Sequence, residues 1–144
     1  MDDIIEAIQK IANDFSIAQK DKKSPFRNVL AAATETGTSI EIIKNYIRYQ
    51  VGRSGSSPIW KEKENQKLFA SAVVEQIDSL LEKAEDILKI IRKNTSKGNP
   101  INDYLENLEN RELYKKNLHL KLTQLYLGYL AREHTASVGE NKTN

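Results

Sequence analysis

Val73-Val-Glu-Gln-Ile77-Asp-Ser-Leu80-Leu-Glu-Lys-Ala84-Glu-Asp-Ile87-Leu-Lys-Ile-Ile91-Arg-Lys-Asn94 decides the fold class. Val73, Ile77, Leu80, Ala84, Ile87 and Ile91 recur in alternating steps of four and three, which keeps them on one stripe of a helix. Val74, Leu81 and Leu88 widen that stripe by a row. No Gly or Pro interrupts the chain from Trp60 to Asn94, so the reading extends to a spine helix of about 35 residues, roughly 50 Å long.

The same period appears on both sides of the spine. Ile4, Ile8, Ile11, Phe15 and Ala18 predict a helix from about Asp3 to Gln19. The polar connector Lys20-Asp-Lys-Lys23 follows, and Ser24-Pro25 opens a second helix through Phe26, Val29, Leu30 and Ala33 to Gly37. Thr38-Ser-Ile-Glu41 matches a capping box. It starts a third helix with Ile40, Ile43, Tyr46, Ile47 and Val51 on its apolar side and Gly52 at its end. Arg53-Ser-Gly-Ser-Ser-Pro58 reads as an exposed loop. Beyond a turn at Thr95–Pro100, leucines and tyrosines from Asn102 to about Thr135 predict a short helix and then a long one, antiparallel to the spine. No segment sustains strand alternation. The expectation is an all-α bundle of about five helices with two long antiparallel ones, a single helical domain over residues 1–135, and a disordered tail over 136–144.

Composition narrows the chemistry. The 144 residues include no Cys and two His, which excludes disulfides, thiolate metal sites and cysteine nucleophiles. No apolar run approaches the ~20 residues that cross a bilayer, and the Met1-Asp-Asp3 start is acidic where a signal peptide is basic. These features predict a soluble, cytoplasmic protein with no membrane partner.

Glu82-x-x-Glu85 and Glu106-x-x-Glu109 resemble the paired acidic motifs of magnesium-dependent all-α nucleotide pyrophosphohydrolases, with Glu109 where an Asp is usual. With Ala84 at the centre of the stripe and about 100° per residue, Glu82 falls opposite the core and Glu85 about 100° from it. Outward carboxylates make a solvated face, with Lys89 four residues from Glu85 to pair with it. His119 sits in Lys-Lys-Asn-Leu-His119-Leu-Lys and reads as half-exposed. Trp60, preceded by Ile59, reads as a core anchor. No nucleophile elbow or phosphate cradle is present. The reading is a non-enzyme with no metal and no cofactor.

Charge is more telling by segment than in total. The whole chain carries 22 Lys and Arg against 20 Asp and Glu. Between Lys20 and Lys61, however, eight basic residues (Lys20, Lys22, Lys23, Arg27, Lys44, Arg48, Arg53, Lys61) face three acidic ones (Asp21, Glu35, Glu41). Lys44, Arg48 and Tyr49 fall on or beside the outward side of the third helix, and Arg53 follows its end. Guanidinium groups take phosphate bidentately, and an exposed Tyr stacks on an unpaired base. Arg27, Lys44, Arg48, Tyr49 and Arg53 are therefore the candidate contacts for single-stranded RNA or DNA. The same pattern serves an ordinary solvated helix. A second basic group, Lys89, Arg92, Lys93 and Lys97, is explained by the dipole at the carboxyl end of the spine.

Ile43-Lys-Asn-Tyr-Ile-Arg-Tyr-Gln-Val-Gly-Arg53 and Leu125-Tyr-Leu-Gly-Tyr-Leu-Ala-Arg132, in a helical chain of this size, resemble the small helical subunit of type III CRISPR effector complexes. The resemblance implies a non-catalytic part of an antiviral defence assembly. Such a subunit packs on larger protein subunits or on copies of itself and touches nucleic-acid backbone, here through Lys44, Arg48 and Arg53. The competing expectation is a helical protein-interaction module or homo-oligomeric adaptor that binds no nucleic acid.

Overall fold

The computed structural model describes residues 1–20 and 23–143. Asp21 and Lys22 of the basic connector, and Asn144, lie outside the described residues. The chain is all-α, as its periodicity predicts. Helices α1 (Asp2–Asp14), α2 (Ile17–Lys20), α3 (Arg27–Thr34) and α4 (Ile40–Gly52) lead through a 3-10 turn (Pro58–Lys61) into a two-residue hairpin, β1 (Lys63–Glu64) and β2 (Lys67–Leu68). Then follow α5 (Phe69–Asn94), α6 (Pro100–Glu106) and α7 (Leu108–Thr143).

The expected spine is shorter at its start. Residues 61–67 carry no apolar side chain, so nothing rewards their packing as helix. Asn65 (φ 50°) and Gln66 (φ 68°) turn left-handed, pairing Lys63 with Leu68 and Glu64 with Lys67 antiparallel. Two consecutive positive φ values are what a tight hairpin of right-twisted strands requires. Helix α5 therefore spans 26 residues, about 39 Å.

The first expected helix is also divided. Ser16 adopts φ 49°, because Phe15 and Ile17, about 200° apart on a continuous helix, both enter the core. Phe15 then meets Phe69 edge-on at 5.2 Å.

The longest helix is α7, with 36 residues, and residues 136–143 extend it where a disordered tail was expected. Val138 is buried, and Ser137, Glu140 and Asn141 line a cleft shared with Asn13, Ser16 and Gln19. Helix α7 touches each of the other six helices. It runs antiparallel to α5, as predicted: Lys115 approaches Glu85 at 3.9 Å, His119 Nε2 meets the Ile77 carbonyl at 2.8 Å, and Tyr126 donates to Gln76 Oε1. His119 is consequently buried and bonded to α5, not half-exposed. Glu85 faces Lys115 across the helix pair rather than Lys89 along its own helix.

The start of α4 separates two readings of one motif. Ser39 Oγ accepts from Ile42 N–H at 3.2 Å and is the cap, whereas Thr38 Oγ1 is buried without a hydrogen-bond partner. The cap lies one residue beyond Thr38, and because the third helical position is then Ile42, the reciprocal box anticipated between Thr38 and Glu41 is replaced by a single serine cap. Ser39→Ala is expected to lower unfolding free energy by about 1 kcal/mol, and Thr38→Ala to change it by only a few tenths. Urea titration followed by circular dichroism reads both, and equal losses would restore the Thr38 box.

Candidate nucleic-acid interface

Lys23, Ser24, Pro25, Arg27, Asn28, Gln50, Arg53, Gly55, Ser57 and Trp60 line a cleft of about 480 Å³. Three elements build it. The entry to α3 supplies Lys23, Arg27 and Asn28. Ser24 Oγ accepts from Phe26 N–H at 3.3 Å and shapes that turn, while no side chain caps the helix and no acidic residue stands in its first turn. The end of α4 supplies Gln50 and Arg53. The Arg53 N–H bonds the Tyr49 carbonyl to close the helix, and Ser56 Oγ donates to the Gln50 carbonyl at 2.6 Å, drawing the following loop back against it. Gly55, at φ 80°, makes the turn. The buried Gln50 and Trp60 form the floor.

The electrostatics of this cleft are one-sided. Among the described residues it holds three cations and no carboxylate. Among the described residues, Lys23, Arg27 and Arg53 make no ion pair, and Arg53 Nε is shielded from solvent with no hydrogen-bond partner. Arg53 stands at the favourable end of the α4 dipole. Lys23 and Arg27 stand at the positive end of α3, where anions are stabilised and cations are not.

The sequence-predicted contacts separate. Arg27 and Arg53, 26 positions apart by number, come together in the cleft. Lys44 does not join them: its ammonium bonds Asp78 of α5 at 2.9 Å and lies 3.6 Å from Glu41. With a side chain only 22% exposed, Lys44 has its pKa raised chiefly by the hydrogen bond it donates to Asp78, against the effect of burial. The outward face expected for it is an interhelical pair. Arg48 remains exposed one turn further on. Tyr49 is 56% exposed and leans edge-on against Tyr46 at 6.2 Å. Arg48 and Tyr49, adjacent in sequence, diverge by about 100° around α4.

Lys23, Asn28 and Gln50 were not anticipated as site residues. One signal for Lys23 was available in the sequence: basic residues flank the start of α3 where a helix ordinarily places acidic ones.

Glu82 points outward as its angular position predicts, whereas Glu85 is half-buried opposite Lys115 of α7. Glu82, Glu106 and Glu109 are exposed, and among the described residues no group of three or more His, Asp or Glu side chains is arranged to hold a metal ion. Among the same residues no helix is long and apolar enough to cross a membrane. No protein-family model, curated protein or solved structure matches the chain.

Proposed function

We propose that this chain is a non-enzymatic helical subunit of a nucleoprotein assembly and contacts single-stranded RNA or DNA through its backbone phosphates. The observation that carries the reading is the meeting of Lys23, Arg27 and Arg53 in one cleft to which no carboxylate among the described residues contributes. Arg48 and Tyr49, exposed on the neighbouring surface of α4, supply a further phosphate contact and a stacking face. Lys44 is withdrawn from the contact set because Asp78 and Glu41 already neutralise it. This is the role implied by the resemblance to the small subunit of type III CRISPR complexes.

Assembly with larger protein subunits or with copies of the chain is supported by a separate feature. Ile90, Ile101, Tyr104, Leu108 and Leu113 are exposed around the end of α5, α6 and the start of α7. Apolar side chains gathered at one end of a bundle suit a protein contact.

Fluorescence polarisation with a labelled single strand tests the reading. The three cations of the cleft alone, each neutralising a phosphate, give a salt slope near −2 on logarithmic axes, so affinity is expected to fall at least about twentyfold between 50 and 200 mM salt. Arg27→Ala/Arg53→Ala is expected to weaken binding at low salt by at least about tenfold and to reduce the slope by more than one, while Lys44→Ala leaves both unchanged. Absence of low-salt binding, or binding indifferent to the double substitution, overturns the proposal. Self-association that ignores both salt and nucleic acid, read by light scattering, favours the adaptor reading instead.

A further inference from the structure

We infer that the cleft between the start of α3 and the end of α4 is a receptor for a phosphomonoester, the doubly charged group of a strand terminus or a nucleotide, in preference to the phosphodiester of a continuous strand. The inference rests on the polyanion reading of the same cleft and makes it more specific.

Charge gives the first reason. Lys23, Arg27 and Arg53 line one cavity that has no carboxylate among its described lining residues, and two of them sit at the end of a helix that already carries partial positive charge. Gathering like charges in this way is unfavourable in the empty protein, and a compact dianion relieves it more fully than a diester with one charge.

Shape gives the second. The floor is closed by Trp60 and Gln50, 1% and 2% exposed, and Gln50 is itself tied to its helix by Nε2 donating to the Tyr46 carbonyl. A group with one covalent attachment can descend to that floor. A diester, attached on both sides, must keep two strands of its chain outside and ride on the rim. The volume of about 480 Å³ lies within the range of small-ligand pockets, about 300–1,000 Å³.

Unmet hydrogen bonding gives the third. Arg53 Nε is shielded from solvent and has no acceptor. Such a charged donor is costly to leave unmade, and a terminal phosphate, with three free oxygens, can accept from the guanidinium bidentately while turning its remaining oxygen toward Lys23 or Arg27.

The experiment compares a short labelled oligouridylate carrying a terminal phosphate with the same strand ending in hydroxyls, using the full chain at low salt. Uridine monophosphate and inorganic phosphate serve as competitors. The phosphorylated strand is expected to bind about tenfold more tightly. Arg53→Gln and Lys23→Ala should each erase that preference while retaining the thermal melt of the parent chain. Competition by uridine monophosphate at concentrations near its own direct affinity assigns the ligand to free nucleotides, and its failure to compete assigns it to strand ends. Equal, salt-sensitive binding of both strands overturns this inference and leaves the polyanion reading standing. Binding of the monophosphate with no binding of either strand supports the inference and overturns the polyanion reading. No binding of any probe overturns both.

Discussion

Trp60→Ala is expected to cost about 3–5 kcal/mol of folding free energy, a large share of the roughly 5–15 kcal/mol that holds a domain together. Trp60 is fully buried and stands edge-on to Phe26 at 5.6 Å and tilted against Phe69 at 5.5 Å. Phe69 also meets Phe26 at 6.0 Å and Phe15 at 5.2 Å, and Phe26 carries His134 edge-on at 5.9 Å. One ring cluster thus joins the break between α1 and α2, the entry to α3, the 3-10 turn, the start of α5 and the far part of α7. Removing the indole leaves a cavity beside Phe26 and Phe69, the two rings through which the other members of the cluster are joined. It also removes the floor of the cationic cleft, so phosphate binding should fall along with stability. Trp60→Phe keeps most of the ring contacts and should recover more than half of the loss. Urea unfolding followed by circular dichroism measures both variants, and a Trp60→Ala cost below about 1 kcal/mol would remove the cluster from its central role.

Alkaline destabilisation governed by a single tyrosine is the second large effect. Tyr126 is buried and donates to Gln76 Oε1, while Gln76 Nε2 reaches the Ala7 carbonyl at 3.4 Å, so one polar chain links α7, α5 and α1. Burial pushes the Tyr126 phenol well above its ordinary value. The folded protein therefore keeps this proton at pH values where the unfolded chain, with a Tyr pKa near 10, releases it. The unfolded state binds fewer protons above pH ~10, so stability falls as pH rises there, by about 1.4 kcal/mol per unit. Below that pH the group contributes no slope. Tyr126→Phe removes the slope and also strands Gln76 Oε1, costing about 1–2 kcal/mol at neutral pH. The variant should accordingly be the less stable protein at pH 7 and match or exceed the parent near pH 12. Lys44, whose pKa is also raised, adds a loss in the same direction that both proteins share. Parallel stability curves for parent and variant above pH 10 would refute the assignment.

Legibility differs between the fold and the site for a definite reason. Helical periodicity is a property of neighbours three and four positions apart, and it located α4, most of α5 and the helical body of α7 correctly. Where it erred, an interaction from another part of the chain had decided the matter. Ser16 turned left-handed so that Phe15 could reach Phe69. Residues 61–67 left the helix because their polar side chains had no core to face, and that run was visible in the sequence. Residues 136–143 remained helical although small and polar, with Val138 buried and α1 and α2 close by. His119 looked like a surface residue among lysines until α5 presented the Ile77 carbonyl to it.

The candidate site divides along the same line. Sequence determined the helical class, the absence of cysteine chemistry, the outward placement of Glu82 and the excess of positive charge between Lys20 and Lys61, because each depends on composition or on local spacing alone. Only tertiary structure decided which of those charges are available. Asp78 of α5 occupies Lys44, while the packing of α3 against α4 carries Arg27 to Arg53 and adds Lys23. Availability of a charge depends on what stands within a few ångströms of it, and Coulomb interaction over that distance links residues that a linear reading keeps far apart.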